Sequence, residues 1–426
     1  MGQLHRIISS TNVRNIGKLL SANVVAQVIG LIVYPILTRI YTPEDFGLLN
    51  LFLSIGGVLV ILSTAEYYYA IVLPEKEHDG ASVMGVGVVW LIATVLLITI
   101  SVLFSEPISH LFKLPALADY YWMMPIYVLI MGAWNLLNYW YIRHKKYNSI
   151  SRYQISQNLL SAGGKLGLGY AQFLSAGMIY SVVFAPLISL LSSIWNNRST
   201  LRSFFCYFSW KNIRTQARVF KNFPCFVLPK SFVNMLAGQL PILLLTPFFG
   251  ARSVGFLSIA FLLGYTPIGT ITRAIYQVLY QHATERVHHS LPIGHVFKRF
   301  FLYASAIIIP VFVGLWFVLP DLTAWLLGTE WRLSGEYIRF MLPWLYVSLL
   351  SCSINFLFDI FMKQPLGLFF ELLLAAFRIA GLGVGIWLHD FSLAILCYSI
   401  STALALSIQI IWMMNQVKRY DDSIGS

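Results

Sequence analysis

Charged residues inside long apolar stretches are the positions of this sequence where chemistry is expected. Basic side chains stand within such stretches at four positions, Lys165, Lys230, Arg273 and Arg378. Arg39 lies near the edge of another stretch, and the clearest acid in such a setting is Glu66. A cation inside a membrane costs a few kcal/mol or more, so it normally faces a helix-bundle interior or an aqueous cavity.

These side chains predict a cationic cavity, and the anion that matches it best is a diphosphate. Arginine offers a planar fork of donors to phosphate oxygens, and lysine offers a compact point charge. We therefore assign Lys230 and Arg273 to binding of this anion, with Arg39 assisting near the outer mouth. Lys165 and Arg378 are further candidates for the same cavity.

Each of these residues also has a second interpretation. Arg39 alternatively snorkels to the outer interface of the membrane. Lys165 and Arg378 alternatively satisfy a contact between helices, because each stands beside two glycines whose spacing lets helices approach closely. These glycine pairs are Gly163 with Gly167 and Gly381 with Gly385. Glu66 is either an ion-pair partner for one of the cations or a coupling site for a proton or a sodium ion.

Membrane-spanning helices are the elements that must position these side chains. Apolar residues make up 58% of the 426 positions and charged residues 11%, against roughly 25% charged residues in a soluble domain. A bilayer core needs roughly 20 apolar residues per helix. The sequence therefore predicts an all-α polytopic membrane protein with about twelve transmembrane helices, over residues 19–40, 46–73, 81–104, 120–142, 153–174, 177–195, 223–249, 254–280, 300–319, 337–361, 366–388 and 391–414.

Weak sequence repeats between the two halves of the chain predict two six-helix lobes around a central cavity. Pro35-Ile36-Leu37 recurs as Pro241-Ile242-Leu243, Gly47 has a counterpart in Gly255, and Gly167-Leu168-Gly169 returns as Gly381-Leu382-Gly383. The two copies of each motif are 206, 208 and 214 positions apart, which is close to half the length of the chain. This spacing favours an internal repeat of the kind found in transporters. We expect an N-terminal lobe over 1–197, a cytoplasmic linker over 198–222 and a C-terminal lobe over 223–426. Pro35 and Pro241 should bend the first helix of each lobe.

The distribution of Lys and Arg predicts that both termini are cytoplasmic. One set of connections holds twenty of these residues, whereas the opposite set holds five, Arg39, Lys113, Arg252, Arg332 and Arg339. Positive residues mark the cytoplasmic side of a membrane protein. The net charge of +12 is thereby explained by topology, and no nucleic-acid partner is expected.

No catalytic site, metal site or cofactor is expected. The four cysteines, Cys206, Cys225, Cys352 and Cys397, form no CxxC pair, and we expect them to be reduced core residues. The histidines His282, His288, His289 and His295 have one nearby acid, Glu285, which is a poor ligand set for a metal. A GxxxxGK[ST] loop is absent from the sequence, and the external connections 105–119 and 320–336 are too short to hold an active site.

Three motifs carry a resemblance to a known family. They are Arg39-Ile40-Tyr41-Thr42-Pro43-Glu44-Asp45-Phe46-Gly47, then Ala70-Ile71-Val72-Leu73-Pro74, and finally Gly255-Phe256-Leu257-Ser258-Ile259-Ala260 leading to Pro267. On these motifs the chain resembles the polysaccharide (O-antigen type) flippases of the multidrug, oligosaccharidyl-lipid and polysaccharide exporter superfamily.

The resemblance implies a transporter, not an enzyme. Such proteins move undecaprenyl-diphosphate-linked oligosaccharide from the inner to the outer leaflet of the bacterial cytoplasmic (inner) membrane by alternating access, for example in lipopolysaccharide biosynthesis. The implied partners are this lipid-linked oligosaccharide with its polyprenyl diphosphate, the membrane lipids and other polysaccharide assembly proteins. Two alternatives stay open: a cation-coupled drug antiporter of the same superfamily, and a membrane polymerase or glycosyltransferase acting on polyprenyl-linked sugars.

The chain departs from the family pattern at two places. Relatives often carry a basic residue, a tyrosine and an acidic residue before the second motif, whereas this chain has Glu66, Tyr67 and Tyr68. Relatives also often have an arginine two positions after the third motif, where this chain has Leu262. Arg273 lies eleven residues beyond Leu262, and a regular α-helix would return it to nearly the same face about 16 Å along the axis.

Overall fold

The computed structural model describes residues 32–206 and 209–425, which form helices and connections with no β-strand. It divides into two compact units, Met1–Gln239 and Leu240–Ser426. Most of the first predicted span, residues 19–31, lies outside the described residues, as do Arg6, Arg14 and Lys18. The lobe and linker boundaries expected from the sequence repeat differ from this division and stay a prediction.

The described part of the first unit contains eight helices of nine residues or more, and shorter helical segments link the third of them to the fourth. They are α1 (32–40), α2 (Pro43–Ser63), α3 (Glu77–Ser101), α4 (Met124–Arg143), α5 (Tyr147–Tyr170), α6 (Leu174–Asn196), α7 (Arg198–Cys206) and α8 (Trp210–Val219). A 3₁₀-helix, Tyr67–Val72, precedes α3, and a π-helix, Phe223–Val227, follows α8. The next helix, α9 (Leu228–Ala260), begins in the first unit and ends in the second.

The second unit continues from α9 through a π-helix, Phe261–Tyr265. Its longer helices are α10 (Thr266–His288), α11 (Gly294–Leu327), α12 (Arg332–Ile354), α13 (Gln364–Trp387) and α14 (Phe391–Gly425). Within α9 the helix continues through Pro241, and the backbone leaves helical geometry at Gly250 instead, with φ 77° and ψ 172°. Glycine adopts such a positive φ at little cost.

The described part of the chain contains eight helices or helical stretches long and apolar enough to cross a membrane, or up to nine if one bent pair counts as a single span. Two predicted spans, 223–249 and 254–280, merge in the 66-residue stretch Phe223–His288. The predicted span 153–174 forms α5, which is long enough but too polar to be counted. The all-α multi-pass class is confirmed, and the count of twelve is not.

The first family-like motif forms the start of α2. The Thr42 hydroxyl accepts a hydrogen bond from the backbone N–H of Asp45 (3.4 Å), and the Asp45 carboxylate accepts one from the N–H of Thr42 (2.9 Å). This reciprocal pair is a capping box, with Pro43 in the first turn. The other carboxylate oxygen of Asp45 accepts a hydrogen bond from Ser175 in α6. The motif therefore fixes the start of α2 against another helix.

Tyr41, from the same motif, reaches α5 through a space left by glycines. Its hydroxyl donates to the backbone carbonyl of Lys165, at 2.6 Å. A Cβ atom at Gly169 would lie 2.8 Å from the Tyr41 hydroxyl oxygen, and one at Gly177 would lie 3.1 Å from it. Larger residues at these two positions would displace the tyrosine.

The two glycine pairs predicted to bring helices together behave differently. A Cβ atom at Gly163 or Gly167 would meet nothing within 4 Å, so the expectation of a close helix contact there is wrong. A Cβ atom at Gly381 would lie 2.7 Å from the Cys397 carbonyl oxygen, and one at Gly385 would lie 2.2 Å from the Cα atom of Ala394. The second pair therefore does allow α13 and α14 to pack closely, as predicted.

Candidate functional site

A cavity in the second unit is lined in part by one of the predicted binding residues, Arg273. The cavity has a volume of about 430 Å³ and opens between α10 and α12. Its lining includes Tyr265, Thr272, Arg273, Tyr276, Gln277, Ser348 and Cys352. Arg273 is exposed and makes no hydrogen bond or ion pair with the described residues. The cavity therefore offers one charged donor and several neutral polar groups to a bound molecule.

Aromatic rings form one wall beside this cavity. Tyr265 stacks on Trp344, with ring centroids 5.3 Å apart and an angle of 11° between the planes. Tyr398 packs edge-on against the same tryptophan, at 5.4 Å. The guanidinium carbon of Arg378 lies 5.9 Å from the centre of the Tyr398 ring, within cation–π range.

Tyr265 connects the two arginines that the sequence placed in a cationic site. Both Arg378 and Arg273 lie near enough to influence the Tyr265 hydroxyl electrostatically. The structure therefore brings together two of the predicted binding residues, which come from α10 and α13. Neither the Tyr265–Trp344 stack nor the proximity of the two arginines to Tyr265 could be predicted from the sequence.

The π-helix Phe261–Tyr265 accounts for the position of Tyr265 and corrects one expectation. The projection from Leu262 to Arg273 assumed a regular α-helix, but the first four residues of that interval belong to the wider π-turn. The α-helical projection therefore does not hold over this interval, and the equivalence of the two positions stays a prediction. Single π-turns inside helices are frequent at functional sites, and this one lies next to the cavity.

The cysteines whose side chains the structure describes are free, but they do not all lie in the core. Among the cysteines whose side chains the structure describes, Cys225 and Cys352 are exposed and Cys397 is intermediate. Cys352 lines the cavity beside Ser348, with 3.7 Å between its sulfur and the serine oxygen. The expectation of buried cysteines is therefore wrong at two positions.

The other three predicted cations belong to the first unit. Arg39 is exposed on α1, and Lys230 is exposed in the first turn of α9. Lys165 is partly buried in the middle of α5. No described hydrogen bond or ion pair of a side chain joins any two of these residues. Their assignment to anion binding stays a prediction.

Glu66 is buried in the first unit, with 1% of its surface exposed. Its backbone is left-handed, with φ 62° and ψ 10°, which non-glycine residues adopt infrequently. One carboxyl oxygen has no hydrogen-bond partner, while the side chain interacts with Tyr68. Among the described residues no Lys or Arg lies within 4 Å of its carboxyl group, so the ion-pair alternative for Glu66 is not observed.

Three tyrosines pack beside Glu66. The ring centroids of Tyr68 and Tyr69 lie 4.4 Å apart, and Tyr139 from α4 lies 5.0 Å from Tyr68 and 5.2 Å from Tyr69. Tyr139 is close enough to Glu66 to interact with it electrostatically. A buried acid that contacts the Tyr68 hydroxyl, with no Lys or Arg within 4 Å in the described ranges, is a candidate site for a proton or a small cation.

Arg143, at the end of α4, is a structural residue that the sequence did not reveal. Its guanidinium donates to the carbonyls of Ile71 (3.0 Å), Pro74 (2.7 Å) and Lys76 (3.0 Å). It also pairs with the Glu77 carboxylate, at 3.3 Å. The second family-like motif is therefore held in place by an arginine that sequence reasoning treated only as an orientation signal.

A family model described as polysaccharide biosynthesis protein matches residues 36–335, which is more than half of the chain. The chain belongs to the polysaccharide biosynthesis protein family. The match to this family includes Arg39, Glu66, Lys165, Lys230 and Arg273, whereas Arg378 lies beyond it. No curated protein sequence matches the chain.

Solved structures of two membrane transporters share the fold of this family member. One is an inward-facing multidrug resistance MATE family transporter of the MOP superfamily, with a TM-score of 0.69 and 14% identity over 93% of this chain and 96% of the other. The other is the lipid II flippase MurJ in an inward closed conformation, with a TM-score of 0.66 and 14% identity over 94% and 89%. The chain therefore shares its fold with these two proteins.

Proposed function

We propose that the protein is a flippase that moves undecaprenyl-diphosphate-linked oligosaccharide repeat units from the inner to the outer leaflet of the bacterial cytoplasmic membrane by alternating access. Its membership of a polysaccharide biosynthesis family supports the glycan part of this proposal. The fold that it shares with a lipid II flippase supports a lipid-linked substrate. The observation that carries the proposal is the cavity in which Arg273 stands beside the Tyr265–Trp344 stack.

In this proposal Arg273 binds the diphosphate of the substrate. Its guanidinium is exposed in the cavity, and a planar fork of donors matches two phosphate oxygens at once. Arg378, near the same tyrosine, adds a second positive charge to the region. We assign Lys230, Lys165 and Arg39 to further contacts with the same anion on its path.

Glu66 is our candidate for coupling this movement to an ion. Burying a carboxylate without a cationic partner is unfavourable, so the group is expected to be either protonated or bound to a cation for part of the transport cycle. The neighbouring tyrosine hydroxyls provide neutral hydrogen-bonding groups for both states. We propose that protonation or cation binding at Glu66 alternates with substrate movement.

A drug antiporter is the second candidate, because the fold is shared with a multidrug transporter. The two candidates differ in the charge they require. A lipid diphosphate needs cations, which the cavity supplies through Arg273, whereas a cationic drug would be repelled by that guanidinium. The cavity therefore favours the flippase.

Substitutions at Arg273 test the proposal. Arg273→Lys keeps the charge but loses the fork, so a partial loss of surface glycan is expected, and Arg273→Glu should abolish it. Lys298→Ala is the control, because Lys298 is an exposed cation of the same unit outside the cavity. Surface glycan and membrane expression are measured together. Normal glycan in correctly inserted Arg273→Ala, Lys230→Ala and double variants would remove these residues from the mechanism.

A further inference from the structure

A second cavity of the second unit is a groove between α11 and α12 that the proposed function does not use. It has a volume of about 380 Å³ and is lined by side chains that include Phe312, Val313, Trp316, Leu342, Pro343 and Tyr346. None of these residues lines the Arg273 cavity. The groove therefore requires an explanation of its own.

The wall of the groove is suited to a hydrocarbon chain. The hydroxyl of Tyr346 is hydrogen-bonded to Ser305 at 2.7 Å, so it has a partner inside the protein. The other named side chains are hydrocarbon or aromatic, and they offer no strong acceptor to a polar ligand. Only 6% of the most apolar stretch of α11 is buried within the protein. This part of the helix is therefore left to face the bilayer.

A guanidinium lies at the rim of the groove. The guanidinium carbon of Arg339 lies 5.5 Å from the centre of the Trp316 ring, and Trp316 itself lines the groove. The Nε atom of Arg339 is buried without a hydrogen-bond partner. Glu336, one turn earlier, is paired with Arg332 at 3.2 Å. Within the described ranges no acid lies within 4 Å of Arg339.

Arg339 lies two turns from the start of α12, where a long arginine side chain can extend toward the membrane interface. It stands seven residues after Arg332, the first residue of α12, which places it about 10 Å along the helix axis. Phosphate groups of lipids lie just outside the hydrocarbon core, in an interfacial region several ångströms thick on each side. A long arginine side chain reaches from the edge of the core to this region.

We propose that this groove is a binding site for a membrane phospholipid, with one acyl chain along Phe312, Trp316 and Leu342 and the lipid phosphate paired with Arg339. An arginine in an apolar setting requires an anion, and phosphate accepts its fork of donors. The phospholipid of the leaflet that surrounds α11 is the most abundant molecule that joins a phosphate to a hydrocarbon chain. The bound lipid stabilises α11 against α12 without entering the transport path.

Native mass spectrometry of the purified full-length protein tests this site with phosphatidylglycerol as the probe. The wild-type protein should retain one phosphatidylglycerol after detergent washing, and Arg339→Gln should weaken its retention about tenfold, as expected for a lost charge-assisted hydrogen bond. Arg252→Gln is the matched control, since Arg252 is an exposed arginine paired with Glu330. It should retain the lipid as the wild type does.

A second variant tests the hydrocarbon part of the site. Val313→Trp should fill the groove and displace the lipid while Arg339 is intact. Equal retention by wild type, Arg339→Gln and Val313→Trp, or no retained lipid in the wild type, would overturn the proposal. Preferential displacement of phosphatidylglycerol by a polyprenyl phosphate would also overturn it, in favour of the tail of a transported lipid. No lipid-linked oligosaccharide is present in the assay, so its outcome is independent of the proposed transport.

Discussion

At the scale of single residues, Arg143 donates its hydrogen bonds to a single connection of the chain, the one between Ile71 and Glu77. Its guanidinium reaches the carbonyls of Ile71, Pro74 and Lys76 and the Glu77 carboxylate, and its side chain is only 10% exposed. Lysine has one compact ammonium group and cannot satisfy this set of acceptors. We therefore expect Arg143→Lys and Arg143→Ala to destabilise the protein by about 3 kcal/mol, since each breaks a largely buried network.

The apparent melting temperature of the purified variants checks this expectation. Arg152→Gln is the control, because Arg152 is an exposed cation of the next helix. Melting temperatures of the Arg143 variants equal to that of Arg152→Gln would show that the network contributes nothing to stability.

Glu66 allows stability and transport to be separated. Glutamine keeps the shape of the buried side chain and removes its charge, so Glu66→Gln should retain the melting temperature or raise it. If the carboxyl group takes up a coupling ion, the same variant should lose transport. Surface glycan and thermal stability are therefore measured for Glu66→Gln and for the exposed control Glu75→Gln. Wild-type glycan levels in Glu66→Gln would rule out the coupling role.

The residue scale also shows where sequence reasoning stopped. Arg143 has the appearance of any positive residue after a membrane span, and its acceptors lie 66 to 72 positions earlier. Arg273 and Arg378 were found because a charge inside an apolar stretch is costly wherever it points. Their proximity to Tyr265 depends on how α10, α12 and α13 pack, which one sequence does not encode in a readable form.

At the scale of elements, the contact between α13 and α14 depends on single glycines. A Cβ atom at Gly385 would lie 2.2 Å from the Cα atom of Ala394, whereas one at Gly383 would meet nothing within 4 Å. Gly385→Ala should therefore push the helices apart and destabilise the protein. Gly383→Ala should be neutral or stabilise it by up to about 1 kcal/mol, because alanine favours the helix.

Thermal unfolding of these two variants in the same detergent measures the difference. Both substitutions replace glycine by alanine in the same helix. The gain in helix propensity is therefore the same for both, and it cancels in the difference between their melting temperatures. Equal melting temperatures would mean that α13 and α14 do not pack as the structure describes.

The elements themselves were predictable to different degrees. Apolar length located the helices, because each crossing of a bilayer requires it. Apolar length did not reveal the π-helices or the break at Gly250, which arise from tertiary packing and backbone geometry. The glycine pattern was correct for α13, yet the same pattern in α5 leaves Gly163 and Gly167 uncovered. The spacing of two glycines shows that another helix can approach closely. Whether one does depends on which helix packs against that face.

At the scale of the whole molecule, the distribution of positive residues predicts cytoplasmic termini. The two ends of α4 provide a direct test. Asp119 lies before its first residue and Asn148 lies after its last residue, and both are exposed. Single cysteines at these positions, in a cysteine-free background, are treated with a membrane-impermeant maleimide in intact cells. Labelling is expected at Asp119→Cys and not at Asn148→Cys. The reverse pattern would invert the orientation.

The family and the fold class were accessible from the sequence, whereas the substrate was not. The motifs at 39–47 and 70–74 indicated the family, and the structure shows that they are a helix cap and a connection held by Arg143. The cavity around Arg273 supports our proposal of an anionic cargo, and none of the described residues identifies a particular glycan.

The most direct test of the proposed flippase function is the location of the lipid-linked repeat unit in cells that lack the protein. The fraction of repeat units accessible to a membrane-impermeant reagent is measured in spheroplasts of the deletion strain, with and without the wild-type gene or Arg273→Glu. We predict that repeat units are still made, stay inaccessible in the deletion strain and with Arg273→Glu, and become accessible with the wild type. Equal accessibility in the deletion strain and the wild type, without a second flippase, would contradict the proposed function.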